Sequence, residues 1–182
     1  MLGGQNHESL GQEHQYASHG ESTEGPVLSL RWEKVLLVCS SGGHLDQLLV
    51  LEPWLNNRDV AIATFNKLDA ASRVGRWRHY WLCWPTNRRV WNNLRNLFKA
   101  GWILRKEKPD LIVSTGAAPA VPFFYLGRIF WQKPTIFVEC FDRVGRPTLT
   151  AWLVRPVTSL FVCQGQSQLA GWPRRVDIGP SR

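Results

Sequence analysis

The amino-acid sequence predicts an α/β protein, built as a single Rossmann-like, doubly wound parallel sheet that follows a disordered N-terminal tail. Three observations predict this fold. Short aliphatic and β-branched runs recur along the chain, helical segments separate them, and turns of small residues lie where strand-like runs give way to helical ones. Strands that are apolar at nearly every position are typical of a parallel sheet with helices on both faces.

Strand-like and helical segments alternate after residue 33. The predicted helices are residues 45–55, 87–106, 119–131 and 147–154. The predicted strands are residues 34–40, 60–66, 79–84, 110–115, 134–140, 160–164 and 175–179. Because one Rossmann-like domain fills residues 34–182, we expect no second domain within them.

Charge is divided unevenly between the tail and the domain. Residues 1–33 contain five acidic residues and one basic residue, a balance of −4, so the remaining residues carry +12 and the whole chain +8. We therefore predict that residues 1–33 form a disordered acidic tail, whose scattered histidines are solvated rather than metal-bound. The basic domain favours an anionic partner, namely nucleic acid, a membrane surface or a phosphorylated substrate.

Cysteine usage and hydropathy indicate where the protein works. The four cysteines are far apart and show no CxxC spacing, which predicts buried free thiols without disulfides or zinc, as in a reducing cytoplasm. The most apolar stretch, residues 117–131, is shorter than the ~20 residues of a spanning helix and contains two prolines and Arg128. The N-terminus lacks the pattern of a signal peptide.

The sequence SSGGH, residues 40–44, joins the first predicted strand to the first helix. Backbone N–H groups at such a turn attract anions, and glycines let a ligand approach the backbone closely. The turn lacks the third glycine of a dinucleotide fingerprint and the lysine of a P-loop. We predict that Ser41, Gly42 and Gly43 bind substrate. His44 could donate to a phosphate or act as a base, and the alternative is a histidine that caps the turn.

A second small-residue turn, within STGAAPAVP at residues 114–122, follows another predicted strand. If the two strands are parallel, both turns lie on the same edge of the sheet. We predict that Ser114, Thr115 and Gly116 bind substrate there. The alternative is that the two hydroxyl side chains only cap the following helix.

A third candidate, Glu139, ends an apolar strand and is followed by a loop with two arginines. A buried carboxylate in this place could act as a general base. Residue chemistry favours the alternative, in which Glu139 forms an ion pair with Arg143 or Arg146.

Two predicted helices have more apolar surface than one core contact needs. In helix 87–106, periodicity predicts a core face at Val90, Leu94, Leu97, Gly101 and Leu104. The opposite face carries a basic stripe with an aromatic border, formed by Arg88, Arg95, Lys99 and Lys106 beside Trp91, Phe98 and Trp102. This pattern is typical of a helix on a membrane surface, although a solvated charged face would look similar. Helix 119–131 is apolar enough to favour a second contact, with a membrane or a partner.

Three segments in order resemble the Alg14 family and its bacterial counterparts of the PssD type, which act in exopolysaccharide and capsule synthesis. They are SSGGHLDQLLVL, KPDLIVSTGAAPAVPFFYLG and KPTIFVECFDRVGRPTLTAWLV, and the resemblance covers roughly residues 34–180. The family in turn resembles the N-terminal half of MurG-like, GT-B glycosyltransferases. The resemblance implies one subunit of a split enzyme, in which an Alg13-like chain supplies the other Rossmann domain and binds the UDP-sugar donor.

The resemblance also implies roles for this chain. It implies that the chain binds a polyprenyl-diphosphate-linked sugar acceptor and holds the pair peripherally on the cytoplasmic face of a membrane. His44 and Glu139 are then the predicted catalytic residues, and the family's E-x-x-x-R segment adds Arg143 to the substrate-binding residues. No metal or cofactor is expected beyond the donor held by the partner. Many relatives carry Glu where this chain has Asp46 or Gln47.

Other functions remain open on the residues. The chain could be a stand-alone Rossmann enzyme that binds a phosphorylated ligand, or a scaffold whose GGH turn is a relic. The basic domain and its many tryptophans could suit nucleic acid. No RNP, helix-turn-helix or KH pattern is present, however, so we expect no nucleic-acid partner.

Overall fold

The computed structural model describes residues 32–86, 90–139, 147–163, 172 and 175–177. The strands are β1 (Lys34–Val38), β2 (Asp59–Phe65), β3 (Arg78–Leu82), β4 (Leu111–Ser114), β5 (Thr135–Val138), β6 (Leu160–Cys163) and β7 (Arg175–Asp177). The helices are α1 (Gly43–Leu49), α2 (Glu52–Leu55), α3 (Leu68–Val74), α4 (Val90–Glu107), α5 (Ala120–Phe130) and α6 (Leu149–Val154), and a short 3-10 helix follows at Arg155–Val157. Nearly all of the predicted tail, residues 1–31, lies outside the described residues.

The strands form one sheet in the order β3-β2-β1-β4-β5-β6-β7, and every neighbouring pair is parallel. The chain builds outward from β1 to β3 and then crosses back through α4 to place β4 on the other side of β1. This confirms the predicted Rossmann-like, doubly wound fold. Open sheets of this kind bind ligands where the strand order reverses, which here is beyond the carboxyl ends of β1 and β4.

Alternate side chains of the strands fill two cores, one on each face of the sheet. On β1, Val35 and Leu37 pack with residues of α1, α2 and α3, whereas Leu36 and Val38 pack with residues of α4, α5 and α6. Because both faces are covered, the strands are apolar at nearly every position, which is the pattern that predicts the sheet.

The first two helical segments differ from the prediction. The predicted helix 45–55 is two helices, because Pro53 fits the first turn of α2 but its ring would clash with the carbonyl of Leu49 in a continuous helix. Helix α3 is not predicted at all. Only Ala70 and Val74 of α3 are buried, so its apolar stripe is too short to produce a periodic signal.

Helix α4 buries a different face from the one that its apolar periodicity predicts. Val90 is 78% exposed, Leu94 and Leu97 are 39% exposed, and Leu104 alone of the predicted positions belongs to the core. The buried residues are Asn96, Ala100, Ile103 and Leu104. The core face is therefore rotated by roughly 100° about the helix axis from the apolar stripe.

Asn96 explains this rotation. Its side-chain oxygen accepts a hydrogen bond from the backbone N–H of Cys83 over 2.7 Å, and its amide donates to the backbone oxygen of Cys83 over 3.0 Å. Both the oxygen and the nitrogen of the Asn96 amide are therefore hydrogen-bonded, which allows this polar side chain to lie in the core. The Lys99 side chain also points towards β3, where its ammonium donates to the backbone oxygen of Trp81 over 2.7 Å. Lys99 is therefore not part of the predicted exposed basic stripe.

Helix α5 uses its apolar surface mainly on neighbouring elements. Phe123, Phe124 and Gly127 face the sheet, and the Phe124 ring meets Phe137 of β5 edge-on at 6.2 Å. The Tyr125 hydroxyl donates to the backbone oxygen of Leu153 in α6 over 2.9 Å. The apolar residues that stay exposed, Ile129 and Phe130, lie in the last turn.

Within the described ranges, no helix has the length and apolarity needed to cross a bilayer. Those same ranges contain no group of three or more histidine, cysteine or acidic side chains placed to hold a metal ion. Cys39 is buried just after β1, and burial raises the pKa of its thiol to about 12, so this thiol is protonated and unreactive at neutral pH.

Candidate functional site

Three chain segments lie beyond β1, β4 and β5, which are consecutive in the sheet. The turn of residues 40–44 follows β1, a second turn at residues 115–119 follows β4, and Glu139 follows β5. Because β1 and β4 are parallel neighbours, the two small-residue turns share one edge of the sheet, as the sequence predicts. The candidate site is therefore this carboxyl edge.

The first turn leaves open space above its glycines. Gly42 has a φ of 81°, and a Cβ placed on Gly42 or Gly43 would have no atom within 4 Å. A ligand can thus approach the backbone here closely. The preceding Ser41 lines a cavity at the same edge of the sheet, whereas Gly42, Gly43 and His44 are not among the residues that line it. Asp46, one of the two positions where relatives carry Glu, instead forms an ion pair with Arg73 of α3.

Two hydrogen bonds between His44 and Thr115 join the turns. Nδ1 of His44 donates to the backbone oxygen of Thr115 over 2.9 Å, and the Thr115 hydroxyl donates to the backbone oxygen of His44 over 2.6 Å. Because a carbonyl oxygen can only accept, Nδ1 carries the proton, and in the neutral ring Nε2 is the basic nitrogen. The hydrogen bond to the Thr115 carbonyl thus fixes the tautomer of the ring.

The predicted ligand-binding residues of the second turn are buried within it. Ser114 accepts a hydrogen bond from the N–H of Gly116 over 3.1 Å, and Gly116 has a φ of 111°. The N-cap of α5 is Pro119, which makes no side-chain capping bond, so neither Ser114 nor Thr115 is the N-cap residue of this helix. Ala117 and Ala118 line the cavity at this edge in their place, and Ala117 has a φ of 75°, which is unusual for a residue other than glycine.

Glu139 is fully buried and contacts the start of α6. Its carboxylate accepts hydrogen bonds from the backbone N–H and the hydroxyl of Thr148, over 3.3 and 3.4 Å. The same hydroxyl oxygen accepts from the N–H of Ala151 over 3.2 Å, which makes Thr148 the N-cap of α6, so this helix begins two residues later than the predicted range 147–154. Arg143 and Arg146 lie outside the described residues, so the ion pair and the substrate-binding role of Arg143 stay predictions.

A cavity of about 440 Å³, the edge cavity, opens beside the first turn. Its polar lining comes from Ser40, Ser41, Lys67, Thr86 and Thr150. The Lys67 ammonium lies 4.8 Å from the centroid of the Trp84 ring, and no carboxylate among the described residues pairs with it. An ammonium beside several hydroxyl groups suits a ligand that carries phosphate.

Lys67, Trp84 and Thr86 are missing from the sequence-based site. They follow β2 and β3 in segments without a glycine-rich turn, so no motif marks them. The signal that could have found them is their position, because residues directly after any strand of a parallel sheet lie on the same edge.

Three asparagines of α4 hold the segment that supplies Trp84 and Thr86. Besides the two bonds from Asn96 to Cys83, Asn92 donates to the backbone oxygen of residue 85 over 2.8 Å and Asn93 to that of residue 86 over 3.1 Å. The wall of the edge cavity on this side is therefore fixed by α4.

Solved structures of other proteins have a similar fold. The sequence matches no protein-family model and no curated protein. The structure of MurG from Acinetobacter baumannii is 14% identical, with a TM-score of 0.65 over 82% of this chain and 46% of MurG. MnaA from S. aureus, solved with UDP, is 12% identical, with a TM-score of 0.63 over 80% of this chain and 44% of MnaA. A glycosyltransferase from Rickettsia africae is 12% identical, with a TM-score of 0.59 over 82% of this chain and 43% of that protein.

The chain has the fold of one half of a MurG-like GT-B protein. At these identities the likeness concerns the fold, and the chain spans less than half the length of each of the three neighbours.

Proposed function

We propose that this chain is the accessory, acceptor-binding and membrane-recruiting subunit of a two-component glycosyltransferase of the Alg13/Alg14 type. It binds a polyprenyl-diphosphate-linked sugar, and an Alg13-like partner supplies the second Rossmann unit with the UDP-sugar. The observation that carries this proposal is a histidine whose basic Nε2 is set by the Thr115 carbonyl, beside an open glycine turn at the switch point of a GT-B half.

The proposed reaction uses His44 as the base. The acceptor hydroxyl oxygen attacks the anomeric carbon of the donor sugar, the bond from that carbon to UDP breaks, and the hydroxyl proton passes to Nε2. A single displacement of this kind inverts the anomeric carbon. Lys67 suits the acceptor's diphosphate, and Glu139 assists by fixing the start of α6 through Thr148.

Attachment to the membrane is peripheral and cytoplasmic in this proposal. Helix α4 exposes an aromatic face, formed by Trp91, Phe98 and Trp102, and Lys106 lies 4.9 Å from the Trp102 ring. Exposed aromatic rings beside cations suit the interface of a bilayer that contains anionic lipids.

Reconstitution tests the proposal. The chain and a candidate partner are purified separately, and transfer from a labelled UDP-sugar such as UDP-N-acetylglucosamine to a polyprenyl-diphosphate sugar is measured with each and with both. We expect transfer only with both chains. Transfer by this chain alone would favour a stand-alone enzyme, and steeply salt-dependent binding to oligonucleotides would favour a nucleic-acid module.

His44 variants sharpen the same assay. We expect His44→Ala to lower kcat of the two-chain complex by about 10²-fold or more, because the base is lost. His44→Asn keeps a donor toward the Thr115 carbonyl but lacks Nε2, so it should be equally inactive while binding the partner normally. His79→Ala is the matched control, since His79 also contacts a backbone oxygen, that of Trp77, over 3.1 Å but lies on the exposed edge strand. Undiminished activity of both His44 variants would remove His44 from the mechanism.

A further inference from the structure

An apolar groove lies between the first two turns of α4 and those of α5. It has a volume of about 580 Å³ and is lined mainly by aliphatic and aromatic side chains, including Leu94, Leu97, Val121, Pro122, Tyr125 and Leu153. This α4–α5 groove results directly from the rotation of α4 described above. Because Asn96 turns the core face away from the apolar stripe, Leu94 and Leu97 are left to line a concave surface rather than the core.

The α4–α5 groove opens into the edge cavity. The two share Thr86, Ala118, Pro119, Val121 and Leu153 as lining residues. One end of the combined site offers Lys67 and hydroxyl groups, and the other offers almost only carbon. A ligand that fills both ends must therefore be an amphiphile whose anionic group is attached directly to an aliphatic chain.

We infer that the α4–α5 groove holds the first isoprene units of the acceptor, while its diphosphate lies in the edge cavity near Lys67. This inference rests on the proposed function for the class of acceptor. The concave groove suits a single branched chain, whereas the convex aromatic face of α4 suits the bilayer. The Tyr125 hydroxyl, which donates to the backbone of Leu153 over 2.9 Å, ties one wall of the groove to α6 and keeps its shape.

The test measures binding to the purified full chain by calorimetry, with submicellar geranylgeranyl diphosphate and with inorganic diphosphate. We expect the prenyl compound to bind at least about tenfold more tightly, because aliphatic surface is buried. Leu97→Gln should remove about tenfold of that affinity. Val50→Gln is the matched control, because Val50 is 71% exposed and lines neither the groove nor the edge cavity, so the affinity for both diphosphates should be unchanged. Lys67→Gln should weaken both ligands.

Two results would overturn the inference. Equal affinity for the two diphosphates shows that no chain is bound. An equal loss with Leu97→Gln for geranylgeranyl diphosphate and for phosphatidylglycerol vesicles shows a bilayer-facing or protein-facing surface instead. Neither result depends on sugar transfer. If reconstituted transfer fails while the Leu97-dependent affinity persists, the prenyl-binding groove is supported and the proposed glycosyltransferase is rejected. If transfer occurs without that affinity, the glycosyltransferase is supported and the prenyl-binding groove is rejected.

Discussion

Gly42 and Gly43 are neighbours in the sequence, yet their backbones make different demands on a side chain. Gly42 has a φ of 81°, which a residue with a Cβ adopts only with strain, whereas Gly43 is the first residue of α1. Open space surrounds both. Comparing alanine variants at the two positions therefore tests the effect of backbone conformation alone, because neither position is crowded by neighbouring atoms.

We expect Gly42→Ala to lower the free energy of unfolding by about 1 kcal/mol, because the left-handed backbone is strained. Gly43→Ala should leave it unchanged or raise it by up to about 1 kcal/mol, because alanine restricts the unfolded chain. Urea unfolding of the two variants with equal m-values measures both. Equal losses would mean that the conformation at Gly42 is not the reason for its glycine.

The candidate-site residues that sequence patterns could indicate are those that belong to motifs. The glycine turn and His44 were found because small residues between a strand and a helix are conspicuous. Thr115 was predicted as a site residue, but its hydrogen bond to the backbone oxygen of His44 was not. A bond to a residue 71 positions away has no signature in the local sequence. Lys67 was missed for the same reason, because only the strand order brings it to the edge.

At the scale of elements, α4 shows where periodicity fails. The apolar stripe through Val90, Leu94 and Leu97 was predicted to be the core, and the structure places it on the groove side. A polar residue can take a core position when a strand offers it an unpaired backbone, as Cys83 does after the edge strand β3. Hydropathy patterns contain no information about such a backbone partner, so they could not predict that Asn96 is buried.

Asn96→Ala tests this account of α4. We expect a loss of about 2–3 kcal/mol in unfolding free energy, since the variant leaves the N–H and carbonyl of Cys83 without their bonds. Asn93→Ala is the control, because its single bond to residue 86 is exposed, and about 0.5–1 kcal/mol should be lost. Thermal unfolding followed by circular dichroism compares the two, and a loss at Asn96 no larger than at Asn93 would contradict the account.

At the scale of the whole molecule, the two faces of the sheet differ in what they leave exposed. The face covered by α4, α5 and α6 carries the aromatic face of α4 and the end of α5, whereas α1, α2 and α3 cover the other. The fold class was predictable because buried parallel strands are apolar throughout. This asymmetry was only partly predictable, since it depends on how α4 is rotated.

A vesicle-binding assay tests the assignment of the aromatic face. We expect the double variant Phe98→Ser with Trp102→Ser to bind phosphatidylglycerol vesicles about tenfold or more weakly, because both rings leave the interface. Leu68→Ser is the control, since Leu68 is 95% exposed on α3, on the opposite face of the sheet. Added salt should weaken binding of the native chain. An equal loss with the control would place the membrane contact elsewhere.

The bond between His44 and Thr115 also ties the site to the order of folding. The two residues are 71 positions apart, and the chain between them contains β2, β3 and α4. Closing such a long loop is costly and slow compared with forming local structure. A chain that has paired β1 with β2 and β3 has the glycine turn, but its imidazole gains the correct tautomer only when β4 joins the sheet. During refolding, the tautomer of His44 is therefore fixed at Nδ1–H only when the centre of the sheet closes.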